Sequence, residues 1–188
     1  MIAALFVQRG GVYFDLAGVD PWDEQRDART YAGPWPVVAH PPCQLWVNFA
    51  ALNYKRWGGA HNKPGNDGGC FRAALAAVRS HGGVLEHPAY SNAWEKFGLR
   101  RPERGKWTRD GRGWVTELSQ SAYGHRARKR TWLYAVNIRP RDLDWRDVEG
   151  TAQVGWFDRI KPTLGKKESS ATPPPFRDLL LSIARSAA

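Results

Sequence analysis

The chain has 188 residues, 42% of them hydrophobic and 12% aromatic, which fits one globular domain and excludes an intrinsically disordered chain. Its 28 basic and 18 acidic residues give a formal charge of +10, which favours a polyanionic partner such as nucleic acid. Two cysteines, Cys43 and Cys70, exclude a disulfide framework, and no apolar run reaches the length of a membrane span, so a cytoplasmic protein with no membrane partner is expected.

Residues 2–7 (IAALFV) predict a strand, and 12–16 (VYFDL) predict a second strand paired with it through a hairpin at Gln8 to Gly11. The polar stretch 20–33 predicts a short helix ahead of Pro34 and Pro36. The run 36–39 (PVVA) predicts a buried strand that stops at His40-Pro41-Pro42-Cys43. Residues 43–69 read as loop. They are followed by a helix over 70–80, with Phe71, Leu75 and Val78 on one face, that ends at Gly82 and Gly83. Val84-Leu85-Glu86 then predicts a strand that ends at His87-Pro88. Strand, helix and strand make a right-handed βαβ unit, and ligands of such sheets lie beyond the carboxyl ends of the strands. Cys43 and Glu86, far apart in sequence, are therefore expected to face one crevice.

Residues 91–98 predict a short helix, and 99–113 a basic loop or hairpin. Strands are expected over 114–118 and 131–136, separated by the cationic run Gly124 to Arg130. Residues 139–175 read as irregular, and a last helix is expected over 176–186, with Phe176, Leu179, Leu180 and Ile183 at core spacing.

Cysteine at the end of a buried strand is suited to attack C6 of a pyrimidine, because a thiolate is a soft nucleophile partly ionised near neutral pH. A carboxyl group suits the Watson–Crick edge of cytosine, and the base must first leave its stack. His40-Pro41-Pro42-Cys43-Gln44 resembles the Pro-Cys-Gln loop of the C5-cytosine DNA methyltransferases, whose cysteine makes that attack. Glu86-His87-Pro88 resembles the family's Glu-Asn-Val motif, and Arg126-Ala127-Arg128-Lys129-Arg130 its Gln-x-Arg-x-Arg motif. Leu5-Phe6 with Gly10-Gly11, the stretch from Val19-Asp20 to Tyr31, and Ala171 to Pro175 echo its cofactor loop, its acidic motif and its closing Pro-Pro-Pro segment.

The resemblance implies a single α/β domain with a trimmed Rossmann-like methyltransferase sheet. It would have an abbreviated cofactor side over 1–36, a catalytic half over 37–136 and a tail with a closing helix over 137–188. It implies DNA as partner and S-adenosylmethionine as cofactor. In the catalytic roles, Cys43 is the nucleophile, Glu86 holds the base edge and Arg128 supports the base. Phe6, Gly10, Gly11, Asp20 (or Asp23) and Pro42 would face the cofactor. Gln44, Trp46, Lys106, Trp107, Arg126, Lys129 and Arg130 would face DNA.

The sequence departs from the family at Ala4 and Gln8, which stand where the cofactor loop has an acidic residue and a glycine. It also leaves fewer than about 30 residues between Gly11 and Pro36, where one βαβ unit alone needs that many. Two alternatives therefore stay open: a cysteine-dependent modifier of DNA bases with another donor or an already modified pyrimidine as substrate, and a DNA-binding relative without catalysis. No pair among the cysteines and histidines has metal-ligand spacing, so no metal is expected. Trp46 and Trp57 are read equally as stacking on a base or as core.

Overall fold

The computed structural model describes residues 1–155 and 160–187. Strands β1 (Ile2–Leu5), β2 (Val19–Trp22), β3 (Val37–Ala39), β4 (Gly83–Pro88), β5 (Thr108–Asp110), β6 (Gly113–Ser119) and β7 (Arg130–Val136) form one sheet in the order β2-β1-β3-β4-β7-β6-β5. The first four are mutually parallel, whereas β7, β6 and β5 continue the sheet with antiparallel pairing. The helices are α1 (Phe49–Trp57), α2 (Cys70–His81), α3 (Asn92–Lys96), α4 (Lys166–Ser170) and α5 (Pro174–Arg185).

The central strands read as unbroken apolar runs because both faces of the sheet are covered. Alternate side chains point to opposite sides. Ala3, Leu5, Val37, Ala39 and Leu85 pack with Phe71, Leu75 and Val78 of α2. Ile2, Ala4, Val38 and Val84 pack with Phe176, Leu180 and Ile183 of α5. The α2 crossover between β3 and β4 is the expected βαβ unit. It turns back at Gly83, which has φ +111° and where a Cβ would lie 2.0 Å from the Val37 carbonyl oxygen, so only glycine fits.

Three expectations fail. Residues 12–16 form turns, not a strand, and the partner of β1 is the parallel β2 at Val19–Trp22. The alternation of VYFDL mimics a strand, but Tyr13 is buried by packing from a turn onto the cluster that holds Ile2, Ala4 and Phe176. Residues 43–69, read as loop, contain the nine-residue helix α1, whose only buried residue is Ala50. It lacks the apolar stripe that periodicity detects, because so little of it faces the core. The expected helix within 20–33 shrinks to one 3-10 turn at Ala28–Thr30. The 139–175 stretch is largely irregular as expected, apart from α4, and residues 156–159 within it lie outside those described.

Candidate active site

All four parallel strands end along one edge, and β7, running the other way, begins there. His40 follows β3 directly, and its backbone N–H donates to the Leu5 carbonyl at 3.0 Å, which ties it to the end of β1. Glu86 and His87 lie near the end of β4, where Pro88 pairs with Thr131. Gln120 follows β6, and its N–H donates to the carbonyl of Lys129, which precedes β7. The edge therefore gathers residues from the ends of β1, β3, β4, β6 and β7.

A chain of hydrogen bonds crosses it. The Tyr13 hydroxyl lies 2.8 Å from His40 Nε2, and His40 Nδ1 lies 3.0 Å from Glu86 Oε2. An ionised carboxylate only accepts, so Nδ1 carries the proton and donates to Glu86. Gln120 Nε2 donates to Glu86 Oε1 at 3.2 Å and to Thr131 Oγ1 at 2.8 Å. Both Glu86 oxygens are thus engaged on a side chain that is 8% exposed.

Burial alone would raise the Glu86 carboxyl. The hydrogen bond from His40 and the positive charge of Lys129 outweigh it and hold the group at about 2. Cys43, half-buried beside this carboxylate, is pushed the other way: burial raises its thiol, Glu86 raises it further, and Lys129 lowers it in part. Burial and the Glu86 charge also keep the Tyr13 phenol neutral, well above its ordinary range. His87 is fully buried against Phe71, with ring centroids 5.0 Å apart. Its ring faces the Pro42 carbonyl, neither nitrogen has a partner at hydrogen-bonding geometry, and burial depresses it to about 4.

The other expected site residues divide clearly. Lys129 belongs to the edge, since its charge acts on both Cys43 and Glu86. Arg128 turns outward onto Asp147 in a two-pronged ion pair and is not brought to Cys43. Arg130 pairs with the buried Glu117, which Arg104 and Trp132 also bind, and Arg126 pairs with Glu168 at 2.6 Å. Lys106 pairs with Glu103 at 2.7 Å, and Trp107 donates to the Arg141 carbonyl at the rim of a separate cleft of about 350 Å³. Gln44 and Pro42 are exposed at the Cys43 turn. Trp46 is core: it packs on Phe71 and Phe97 and donates to Asp67 at 2.9 Å.

Because the Arg128–Asp147 pair is largely exposed, Arg128→Ala is expected to change unfolding free energy in urea by no more than about 1 kcal/mol.

On the cofactor side, Phe6 leaves β1 with φ 59°, and Gly10 and Gly11 form a turn closed by the Gly11 N–H on the Gln8 carbonyl. Asp20 lies within β2, held by Trp22 Nε1 at 2.8 Å and by Arg26. Asp23, at the end of β2, accepts the N–H groups of Gln25 and Arg26. Dinucleotide-type cofactors enter such sheets where the strand order reverses, here between β1 and β3. Tyr13 takes that position with its bond to His40. With Asp20 committed and Tyr13 in the crevice, these residues do not fit S-adenosylmethionine.

Sequence reading missed Tyr13 and Gln120. Tyr13 was hidden in a false strand, and Gln120 carries no motif; its role comes only from the β6–β7 pairing. Among the described residues no group of His, Cys, Asp and Glu is placed to hold a metal ion, and no helix is long and apolar enough to cross a membrane. Comparison of the chain with family models, curated proteins and solved structures finds no match.

Proposed function

We propose that the chain modifies a pyrimidine base in DNA by covalent attack of Cys43 on C6, with Glu86 at the base edge, in the manner of the C5-cytosine methyltransferases that its motifs resemble. The observation that carries this reading is that Cys43 follows three residues after His40, whose ring bonds Glu86 at 3.0 Å, so thiol and carboxylate belong to one sheet edge. The parallel half with its order reversal between β1 and β3, covered by α2 and α5, supports reading the sheet as a shortened Rossmann-like one.

Glu86 keeps the resting thiol protonated, which guards it against side reactions. A pyrimidine whose amino group, or whose N3 in its protonated form, donates to Glu86 offsets that charge and weakens one of the two causes that raise the thiol. The sulfur then adds to C6, its proton leaves to solvent, and the electron pair of the C5–C6 double bond moves to C5. C5 takes an electrophile, the original C5 proton departs, and the C6–S bond breaks to restore the ring. Lys129 supplies the positive charge that the resemblance assigned to Arg128. The electrophile is the carbon of a separate alkyl donor, whose bond to its leaving group breaks with the electron pair going to that group as C5 takes the carbon, and no step here depends on S-adenosylmethionine.

Attack can be read without any donor. In D₂O, addition to C6, deuteration of C5, loss of the C5 proton and elimination of the thiolate exchange the C5 hydrogen. Mass spectrometry of nucleosides from a cytosine-containing oligonucleotide is expected to show one added deuterium on cytosine with the wild type. The signal should fall by several orders of magnitude in Cys43→Ser, as expected when a nucleophile is removed. Salt-sensitive DNA binding with no exchange in the wild type would point instead to a binding protein. A parallel arm with candidate donors identifies the group transferred to C5.

A further inference from the structure

Helix α1 begins six residues after Cys43 and exposes what most helices bury. Phe49 is 61% exposed, Leu52 60%, Tyr54 41% and Trp57 68%. Phe49, Leu52 and Arg56 share one stripe at i, i+3 and i+7, and Tyr54 and Trp57 flank the single buried residue, Ala50. Arg56 lies over the Trp57 ring at 4.9 Å.

The arm that carries this helix is firmly held. At its base Trp46 is buried, the Gly65 N–H donates to the Leu45 carbonyl at 2.8 Å, and the Asn92 N–H donates to the Trp46 carbonyl at 2.9 Å. The helix is thus presented on a fixed stalk beside the Cys43 turn.

Charge indicates what the helix meets. No Asp or Glu occurs anywhere from residue 28 to residue 66. The flanking acids are committed, Asp27 to Arg29 and Asp67 to Trp46 and the start of α2. Lys55, Arg56 and Lys63 are exposed and form no ion pair among the described residues. Aromatic faces interleaved with cations and free of acids suit a strand of unpaired bases, which stacks on the rings while its phosphates meet the cations. A closed duplex offers phosphates but no base faces for Phe49, Tyr54 and Trp57.

We infer that α1 binds single-stranded nucleic acid and that the Cys43 site is fed from a strand already unpaired. This rests on the proposed base-modifying reading for its link to Cys43, while the binding itself stands apart from catalysis.

The test measures fluorescence anisotropy of a labelled twelve-nucleotide DNA, single-stranded or annealed to its complement, with the full chain. Single strands are expected to bind at least about tenfold tighter than duplex. Phe49→Ala with Trp57→Ala should weaken strand binding by on the order of tenfold or more and leave duplex binding unchanged. Lys55→Ala with Arg56→Ala should reduce the slope of log affinity against log salt by about 1.4, for two lost phosphate contacts. Circular dichroism of each variant checks folding.

Equal binding of duplex and strand, or strand affinity indifferent to the aromatic pair, overturns the inference. So does tight binding to anionic phospholipid vesicles or self-association that disappears in Trp57→Ala, because the face then belongs to a membrane or to a second copy. Strand binding without C5 exchange in the wild type would sink the catalytic reading and leave this one standing, whereas exchange on duplex DNA untouched by the aromatic pair would do the reverse.

Discussion

Glu86→Gln is expected to have opposite effects on the two chemistries of Cys43. Exchange at C5 of an oligonucleotide cytosine should fall by on the order of a hundredfold or more, because the amide carries no charge to stabilise the activated base edge. Alkylation of Cys43 by iodoacetamide at pH 8, measured in a Cys70→Ser background, should become faster. The carboxylate is the second cause raising that thiol, so its removal lets the thiolate form more readily. A structural role alone would not produce this crossing of signs: a loosened site would speed alkylation without a selective loss of exchange in a folded protein, and an intact one would change neither. Some stability is lost as well, about 2 kcal/mol, since the bonds from His40 and Gln120 to a charged acceptor become bonds to a neutral one. Slower alkylation in the variant would show that Glu86 does not act on the sulfur and would remove the physical basis of the proposed site.

That crossing depends on the relay behind Glu86. His40 donates one ring nitrogen to the carboxylate and bonds Tyr13 through the other, so the acid is kept ionised by a partner that is itself fixed in place. A base that docks on Glu86 must displace or share one of these bonds, either from His40 or from Gln120. Gln120 is the more adaptable of the two, because its Oε1 is buried without a partner and its amide can turn to offer an acceptor.

The sheet edge was legible in the sequence where local pattern and chemistry agreed. Val37–Ala39, the α2 helix and the strand through Glu86 follow from apolar runs and a glycine stop, and parallel pairing follows from the crossover helix. From that alone Cys43 and Glu86 come to one edge. The hairpin expected at 12–16 failed because alternation measures burial by period two, and a turn that packs Tyr13 and Phe14 differently can imitate it. Helix α1 failed for the opposite reason: its apolar residues face outward, so no core-facing stripe marks it. In the Arg-x-Arg run no local pattern marks which cation turns inward or why. Arg128 and Arg130 are taken by Asp147 and Glu117, long-range partners, while Lys129 lies between them at the edge, where its carbonyl accepts the Gln120 N–H.

Acid should expose the other buried group at this edge. The unfolded His87 ring takes up a proton near 6.5, whereas the folded ring does so only near 4. Between those values the unfolded chain binds more protons, so the stability contributed by the neutral ring is complete above pH 6.5 and drains away as pH falls toward 4. Glu86 adds a second window in the same direction, complete above 4.5 and lost as pH falls to about 2. At pH 4.5 the His87 part alone is expected to cost on the order of a few kcal/mol relative to pH 7.5. The charges that act on His87 are those of Glu86, Asp67 and Lys129, and none of them sits on α2, whose Phe71 covers the ring. His87→Leu, similar in volume and unable to titrate, should therefore show a much flatter fall of urea-unfolding free energy between pH 7.5 and pH 4.5. The slope that remains is expected from His125, which burial also depresses. Because the ring faces the Pro42 carbonyl, an acceptor that favours the charged form, protonation also draws on the turn that carries Cys43. Strand binding through α1 should then outlast C5 exchange as pH is lowered in the wild type, and the two should fall together in His87→Leu. An unchanged pH slope in His87→Leu would mean that the ring is not held neutral by its surroundings.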